Sequence, residues 1–128
     1  MVLRRRADVH AELMTLAKQE DLPSASFVGM GFPSRVTFGF YDFDRKVYDP
    51  RTFENVELVT MTGTIAWQNG KPSLHAHGVI SGADFAASGG HLLELEVGTG
   101  SMELTIITHE QRLEREIEPS IQANILRL

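Results

Sequence analysis

Residues 56–80 read VELVTMTGTIAWQNGKPSLHAHGVI. The first half of this stretch, Val56 to Trp67, is rich in β-branched side chains, which predicts a long strand that can bend at Gly63. Asn69-Gly70 is typical of a two-residue hairpin turn, because both positions of such a turn need a positive φ. Residues 73–80 then form the return strand. The stretch therefore predicts an antiparallel hairpin, and with it a protein built on an antiparallel sheet.

Two further strands are predicted upstream of the hairpin. Apolar side chains alternate with small or polar ones at residues 36–40, the period-two pattern of a strand with one buried face. Residues 26–30 form a second short strand, and the segment 31–34, Gly-Phe-Pro-Ser, predicts the turn between the two. The polar segment 42–52 is predicted to be a connecting loop with a short extended piece at residues 46–48.

Downstream of the hairpin, a loop is predicted at residues 81–90. Two strands follow at residues 92–97 and 102–107, and Gly98-Thr99-Gly100 is expected to break the chain between them. The last twenty residues mix charged side chains with isolated apolar ones. Their pattern leaves open whether they form short extended pieces or a helical turn.

An amphipathic helix is predicted at residues 7–20. Apolar residues recur there at helical spacing: Val9, Leu13, Leu16 and Ala17. Asp8 is positioned to cap the first turn, and Asp21-Leu22-Pro23 ends the helix. One helix packed on an antiparallel sheet of about six or seven strands is an α+β fold. A length of 128 residues suits a single domain spanning residues 1–128.

Composition excludes several classes of protein. The chain has no cysteine, so any metal must be held by His, Asp or Glu. No stretch approaches the ~20 apolar residues of a membrane span, and no apolar run follows the N-terminal arginines, so we expect a soluble, cytoplasmic protein. The formal net charge is -5, and the basic run Arg4 to Arg6 is expected to be a solvated arm. We therefore expect no tight binding to DNA, which usually requires a basic patch.

Three histidines are the most informative polar residues. His75 and His77 occupy positions i and i+2 of a predicted strand, so their side chains project from the same face. His91 opens the next apolar strand after Gly89-Gly90, and two glycines allow a close approach of the backbone to a neighbour. Three imidazoles with an open fourth position are the ligand set of a catalytic zinc ion. Spacing alone leaves a second interpretation open, in which His-x-His belongs to a solvated face.

The remaining polar candidates are weaker. His10 on the helix and His109 in the charged tail are predicted to be surface residues rather than ligands. Glu94 lies three residues beyond His91, so strand alternation directs it to the opposite face and makes it a poor general base. No residue can be assigned a catalytic role from the sequence alone.

Four segments of the chain resemble the plants-and-prokaryotes conserved domain family. They are Glu57–Ile65 (ELVTMTGTI), Gly70–His77 (GKPSLHAH), Gly89–Glu94 (GGHLLE) and Glu103–Ile106 (ELTI). The similarity extends loosely from the first helix to Glu118. It implies an α+β fold with an antiparallel sheet, assembled as a homotrimer. Plant members carry an AT-hook and are nuclear; this chain has no Arg-Gly-Arg-Pro hook and resembles the stand-alone bacterial or archaeal form, which is often described as DNA-binding.

The family fold is also similar to that of acetolactate decarboxylase, a zinc enzyme. Its metal is held by a His-x-His pair and by a third histidine that follows Gly-Gly, which correspond here to His75, His77 and His91. The resemblance thus implies zinc, or another divalent transition metal, at these residues. Three functions remain open: a trimeric metal-binding domain of unassigned role, a zinc-dependent lyase or hydrolase that acts on a small metabolite, and a DNA-associated regulatory protein.

Overall fold

The structure is a computed structural model that describes residues 1–127, so Leu128, the last residue of the predicted domain, lies outside the described residues. Its elements in chain order are β1 (Val2–Arg4), α1 (Val9–Gln19), β2 (Ser24–Asp42), β3 (Val47–Glu54), β4 (Glu57–Gln68), β5 (Lys71–Ser81), β6 (Ala87–His109), β7 (Arg115–Glu118) and β8 (Ala123–Leu126). The first six strands form one antiparallel sheet, and β7 and β8 form a separate hairpin. Within these residues no helix is long and apolar enough to cross a membrane.

The predicted hairpin is confirmed as β4 and β5. Asn69 and Gly70 have φ angles of 51° and 75°, as a two-residue turn between right-twisted strands requires. Pairing of β4 with β5 continues through Gly63, and the register shifts instead between Leu58 and Thr60. Gly63 has a packing role, because a Cβ there would lie 2.3 Å from the Phe27 ring.

The predicted breaks at residues 31–34 and 98–100 are wrong. β2 and β6 are each continuous, and they pair with each other from Ser24–His109 to Gly39–His91 with register shifts near the middle. The two strands approach so closely there that a Cβ on Gly31 would lie 2.3 Å from the Ser101 carbonyl oxygen. These glycines therefore mark bulges at which two paired strands bend together, not turns at which the chain reverses.

The loop predicted at residues 42–52 is mostly a strand: Val47 and Tyr48 are extended, in agreement with the short piece predicted at residues 46–48, but the strand continues to Glu54. A tight turn follows Asp42, whose side chain accepts hydrogen bonds from the backbone N–H groups of Asp44 and Arg45. The chain then returns as β3, paired with the second half of β2 from Asp42–Val47 to Arg35–Glu54. β3 lies at the edge of the sheet and is mostly exposed, which explains why its composition resembles that of a loop.

Two further predictions concern the N-terminus. The helix is confirmed, with Asp8 accepting the Ala11 N–H at 3.0 Å as its N-cap. The side chains of Arg4 to Arg6 are exposed, as predicted. The segment is not a free arm, because residues 2–4 form β1, which pairs with β6, and Leu3 is buried in the core.

Strand pairing closes part of the sheet into a ring. β5 pairs with β4 and β6, and both of those strands pair with β2, so β4, β5, β6 and β2 enclose the core. Val9, Leu13 and Ala17 of α1 are fully buried in the same core. The terminal residues settle as two short extended pieces, β7 and β8. The bend in β2 and β6 thus brings the start of β6 beside β5, where the histidines lie.

Candidate metal centre

The three predicted histidines converge on one face of the sheet. His75 and His77 project from the same side of β5, and His77 is the direct cross-strand partner of His91 on β6. The ring centroids lie 5.0 to 5.2 Å apart in all three pairs. One nitrogen of each ring falls within 4.8 Å of the others. The tertiary structure therefore brings together residues that are separated by fourteen positions in the chain.

The separation of these nitrogens fits a single small ion. Two ligands at 2.0–2.1 Å from a tetrahedral zinc ion are about 3.3 Å apart. The Nε2 atoms of His75 and His77 are 3.1 Å apart, close to that value. The same distance also allows one ring to donate a hydrogen bond to the other, with the tautomers deciding the direction. One nitrogen of His91 lies within 4.8 Å of a nitrogen on each of these two rings.

Tyr48 of β3 holds the His91 ring from the side. The two rings are stacked, with centroids 4.9 Å apart and an interplanar angle of 23°. Gly39, which is paired with His91, makes this possible, since a Cβ there would lie 2.6 Å from Tyr48 Cδ1. The imidazole is therefore fixed in orientation before any ligand binds.

Two of the imidazoles, His91 and His75, are held in their neutral form. Burial lowers the pKa of His91 to about 4, and charge on His75, His77 and His10 would add to this effect. Burial also lowers the pKa of His75, with further contributions from the Arg115 guanidinium and from His77. Neutral imidazole is the form that binds a metal, so the protein environment favours ligation at neutral pH.

The histidines lie in a cavity of about 630 Å³. Its wall is largely apolar and includes Phe40, Tyr41, Phe43, Tyr48, Leu74, Ile121 and Ile125. The β7–β8 hairpin forms one side, and it is tied down where Tyr41 Oη donates to the carbonyl oxygens of Ile121 and Gln122 at 2.8 and 3.1 Å. A volume of this size accommodates a small metabolite.

Arg115, the first residue of β7, reaches into this region. Its side chain is only 5% exposed, and its Nη2 donates to Thr64 Oγ1 at 2.6 Å. Within residues 1–127 its Nε is buried without a hydrogen-bond partner. Burial lowers the pKa of the guanidinium.

The other predicted polar residues lie apart from the cluster. Glu94 accepts a hydrogen bond from Thr37 Oγ1 at 3.2 Å and faces Arg35 at 3.7 Å. His109 is exposed, as predicted, and contacts Ser26 Oγ at 3.2 Å. The surface position predicted for His10 is wrong: the ring is partly buried, its Nε2 has no partner in the described chain, and burial lowers its pKa. The buried face of the helix therefore includes the position next to Val9 and covers more residues than the apolar periodicity indicated.

The sequence matches the Plants and Prokaryotes Conserved (PCC) domain over residues 1–110. The chain belongs to this family. The match confirms the resemblance carried by the Leu-His-x-His and Gly-Gly-His segments. It ends before the β7–β8 hairpin, so the three histidines lie in the part that the family description covers and Arg115 lies beyond it.

Solved structures similar to this PCC domain have varied descriptions. A candidate DNA-binding protein from Ralstonia eutropha JMP134 has a TM-score of 0.96 and 57% identity, over 100% of this chain and 89% of that one. A metal-containing protein from Archaeoglobus fulgidus has a TM-score of 0.89 and 21% identity, over 100% and 91%. Acetolactate decarboxylase from Bacillus subtilis subspecies spizizenii has a TM-score of 0.63 and 16% identity, over 90% of this chain and 54% of the enzyme. The similarity to the last two structures shows a common fold and nothing further. No curated protein matches the domain.

Three residues of the PCC domain site were missed by the sequence analysis. Tyr48 was interpreted only as the end of a short extended piece within a loop. Gly39 was interpreted only as the small residue of an alternating strand, and Arg115 was one of several charges in the tail. The local sequence carries no signal for any of them, because each acquires its role from a strand that is distant in the chain.

The titration of His91 gives a direct test of this environment. In the metal-free protein its imidazole should titrate near pH 4, below the ordinary value of 6.5, because burial opposes protonation. Since the unfolded chain binds this proton at higher pH, the contribution of His91 to the free energy of unfolding should be complete above pH 6.5 and decline towards pH 4. Proton–nitrogen NMR of the imidazoles measures the pKa; a midpoint near 6.5 would contradict the burial of this ring.

Proposed function

We propose that His75, His77 and His91 hold one divalent ion per chain and that the domain uses this ion on a small molecule bound in the adjacent cavity. The observation that carries the proposal is the convergence of three imidazoles in the wall of a largely apolar cavity. Three protein ligands leave a coordination position open, which distinguishes a catalytic site from a structural one.

Zinc is the ion that suits this ligand set best. Imidazole also binds copper, nickel and iron, so the choice depends partly on which metal is available. The chain has no cysteine that would favour a softer ion. The metal-containing protein from Archaeoglobus fulgidus, which shares the fold, is consistent with a metal at this position but does not identify it.

The chemistry best supported is that of a lyase or hydrolase acting on a small oxygenated metabolite. A bound zinc ion supplies a Lewis acid, which polarises a carbonyl group or lowers the pKa of a bound water molecule. The chain contributes orientation and exclusion of water. Tyr48 fixes the His91 ring, while Ile121 and Ile125 of the terminal hairpin enclose the bound molecule. The similarity in fold to acetolactate decarboxylase favours this class without indicating the substrate.

We also propose that the domain assembles as a homotrimer, as its family resemblance implies. Val28, Met30 and Ile107 are 53%, 58% and 60% exposed, and they lie on one face of the sheet. Thr62 pairs with Val28 on one side and with His77 on the other, so this apolar surface is on the same face as the histidines. Cyclic assembly would cover the surface on each copy with one repeated interface.

DNA binding is the function that the description of the Ralstonia eutropha relative suggests. We propose that the isolated chain does not bind DNA tightly. Its net charge of -5 opposes approach to the phosphate backbone. The exposed Arg4 to Arg6 provide few contacts that release counterions, although assembly would multiply them.

The metal site is tested by elemental analysis and calorimetric zinc titration of protein purified without chelators. The wild-type protein should bind one zinc ion per chain. His77→Ala removes one of three ligands, so zinc affinity should fall by more than about 100-fold while circular dichroism stays unchanged. His109→Ala is the matched control, because His109 is an exposed histidine outside the cluster. Equal zinc binding by the His77→Ala and wild-type proteins would exclude the proposed site.

The trimer is tested by light scattering across micromolar concentrations, where the wild-type mass should be three times that of the chain. Met30→Glu places a charge in the proposed interface and should shift the mass towards that of the monomer. Phe85→Ser removes an apolar side chain that is 90% exposed in the connection between β5 and β6, and it should leave the mass unchanged. A monomeric wild-type protein would overturn the proposal.

Fluorescence anisotropy with labelled duplex DNA tests the third candidate function. Near physiological salt the wild-type protein should show no binding below about 1 µM, which is weaker than typical sequence-specific binding. Submicromolar affinity that falls steeply with salt, and that is lost when Arg4, Arg5 and Arg6 are replaced by Gln, would restore DNA binding as a function of this chain.

A further inference from the structure

Arg115 is a buried positive charge for which the described chain provides no acidic partner. The ion pairs among residues 1–127 involve Arg35, Arg45, Arg112 and Arg127, all at exposed positions. Arg115 is 5% exposed, donates to the neutral Thr64 hydroxyl, and has an Nε without a partner. Burying a charge without pairing costs several kcal/mol, so a guanidinium kept in this state indicates that an anion from outside the chain completes it.

The guanidinium lies next to the histidine cluster. Thr64, which accepts its hydrogen bond at 2.6 Å, is the cross-strand partner of His75. Directly paired residues share a face of the sheet, with Cβ atoms about 4.5–5.5 Å apart. An anion bound to Arg115 therefore has its other end within reach of the proposed metal site.

No negative charge balances this end of the cavity. The residues that line it within the described part of the chain include no Asp or Glu. A divalent ion would add two positive charges to that of Arg115, and a bound anion would supply compensating negative charge.

The polar groups of the cavity also limit the kind of anion. Tyr41 Oη already donates to the backbone of the terminal hairpin. The Asn124 amide is occupied by Gln68 and Ser73, at 3.1 to 3.3 Å. Few side-chain donors besides the guanidinium therefore remain for a phosphate with its three terminal oxygens, whereas both oxygens of a carboxylate can pair with the planar guanidinium.

We propose that Arg115 is the binding residue for a small monocarboxylic acid, whose carboxylate contacts the guanidinium, whose short apolar body lies against the aromatic wall and whose opposite end faces His75, His77 and His91. The inference rests on the proposed function, because it assigns the substrate class of the same site.

The test is calorimetric titration of the zinc-loaded, full-length protein with three probes: lactate, its neutral amide lactamide, and inorganic phosphate. Lactate should bind at least about tenfold more tightly than either of the others, since only the carboxylate makes the paired, charge-assisted contact. Arg115→Gln should weaken lactate binding by about tenfold or more with its zinc content unchanged. Arg112→Gln is the matched control, because Arg112 lies in the same tail but stacks on Trp67, and it should bind lactate as the wild-type protein does.

Each other result has a definite meaning. If Arg115→Gln does not fold, the comparison of lactate with lactamide on the unaltered protein decides the matter, and equal affinities would overturn the inference. Zinc-loaded Arg115→Gln that binds lactate as the wild-type protein does, or phosphate that binds more tightly than lactate, would also overturn it while leaving the metal site intact. A wild-type protein that takes up no zinc would overturn the proposed function, and this inference with it.

Discussion

The pairing of β2 with β6 is the constraint on which the rest of the structure depends. These strands stay hydrogen-bonded through a shared bend, so that one half of β2 joins β4 and the other half joins β3. The bend needs glycine where the backbones almost touch, since a Cβ on Gly98 would lie 2.7 Å from the Ser34 nitrogen. Because of it, the beginning of β6 runs beside β5 and His91 comes opposite His77. The histidine cluster is thus a consequence of strand geometry some distance away.

The electrostatics of the cavity follow from burial rather than from paired charges. Desolvation keeps His91 and His75 neutral, and the same desolvation makes the isolated Arg115 charge costly. The fold tolerates that cost because the β7–β8 hairpin is anchored at several points, including the Tyr41 hydroxyl and the Trp67 N–H to Leu113 at 2.9 Å. A cavity with a positive charge and apolar walls favours a ligand that carries a negative charge.

The comparisons divide the site into two parts. The histidines belong to the region that matches the PCC domain, residues 1–110, whereas Arg115 and one wall of the cavity belong to the hairpin beyond it. The Ralstonia eutropha relative aligns over the whole chain at 57% identity, so the hairpin is present in its fold as well. Under the proposed function, the sheet would supply the metal ligands and the terminal hairpin would supply the arginine that binds the substrate.

The sequence by itself determined the local features: the Asn69-Gly70 hairpin, the Asp8-capped helix, the antiparallel character of the sheet and the pair His75 and His77, all of which depend on residues close together in the chain. His91 was proposed as the third member of the cluster from its position after Gly89-Gly90, and the family resemblance supported that proposal. Glycines could not be interpreted from the sequence alone, because the same residue type occurs in a turn, as at Gly70, and in a bulge between paired strands, as at Gly31. Only the tertiary structure decided that β2 and β6 continue through their glycines, that β3 is a strand, and that Tyr48 and Arg115 lie beside the histidines. Those outcomes depend on hydrogen bonds between segments far apart in the chain and on the side chains that these segments bury against each other. Local sequence patterns do not predict such contacts.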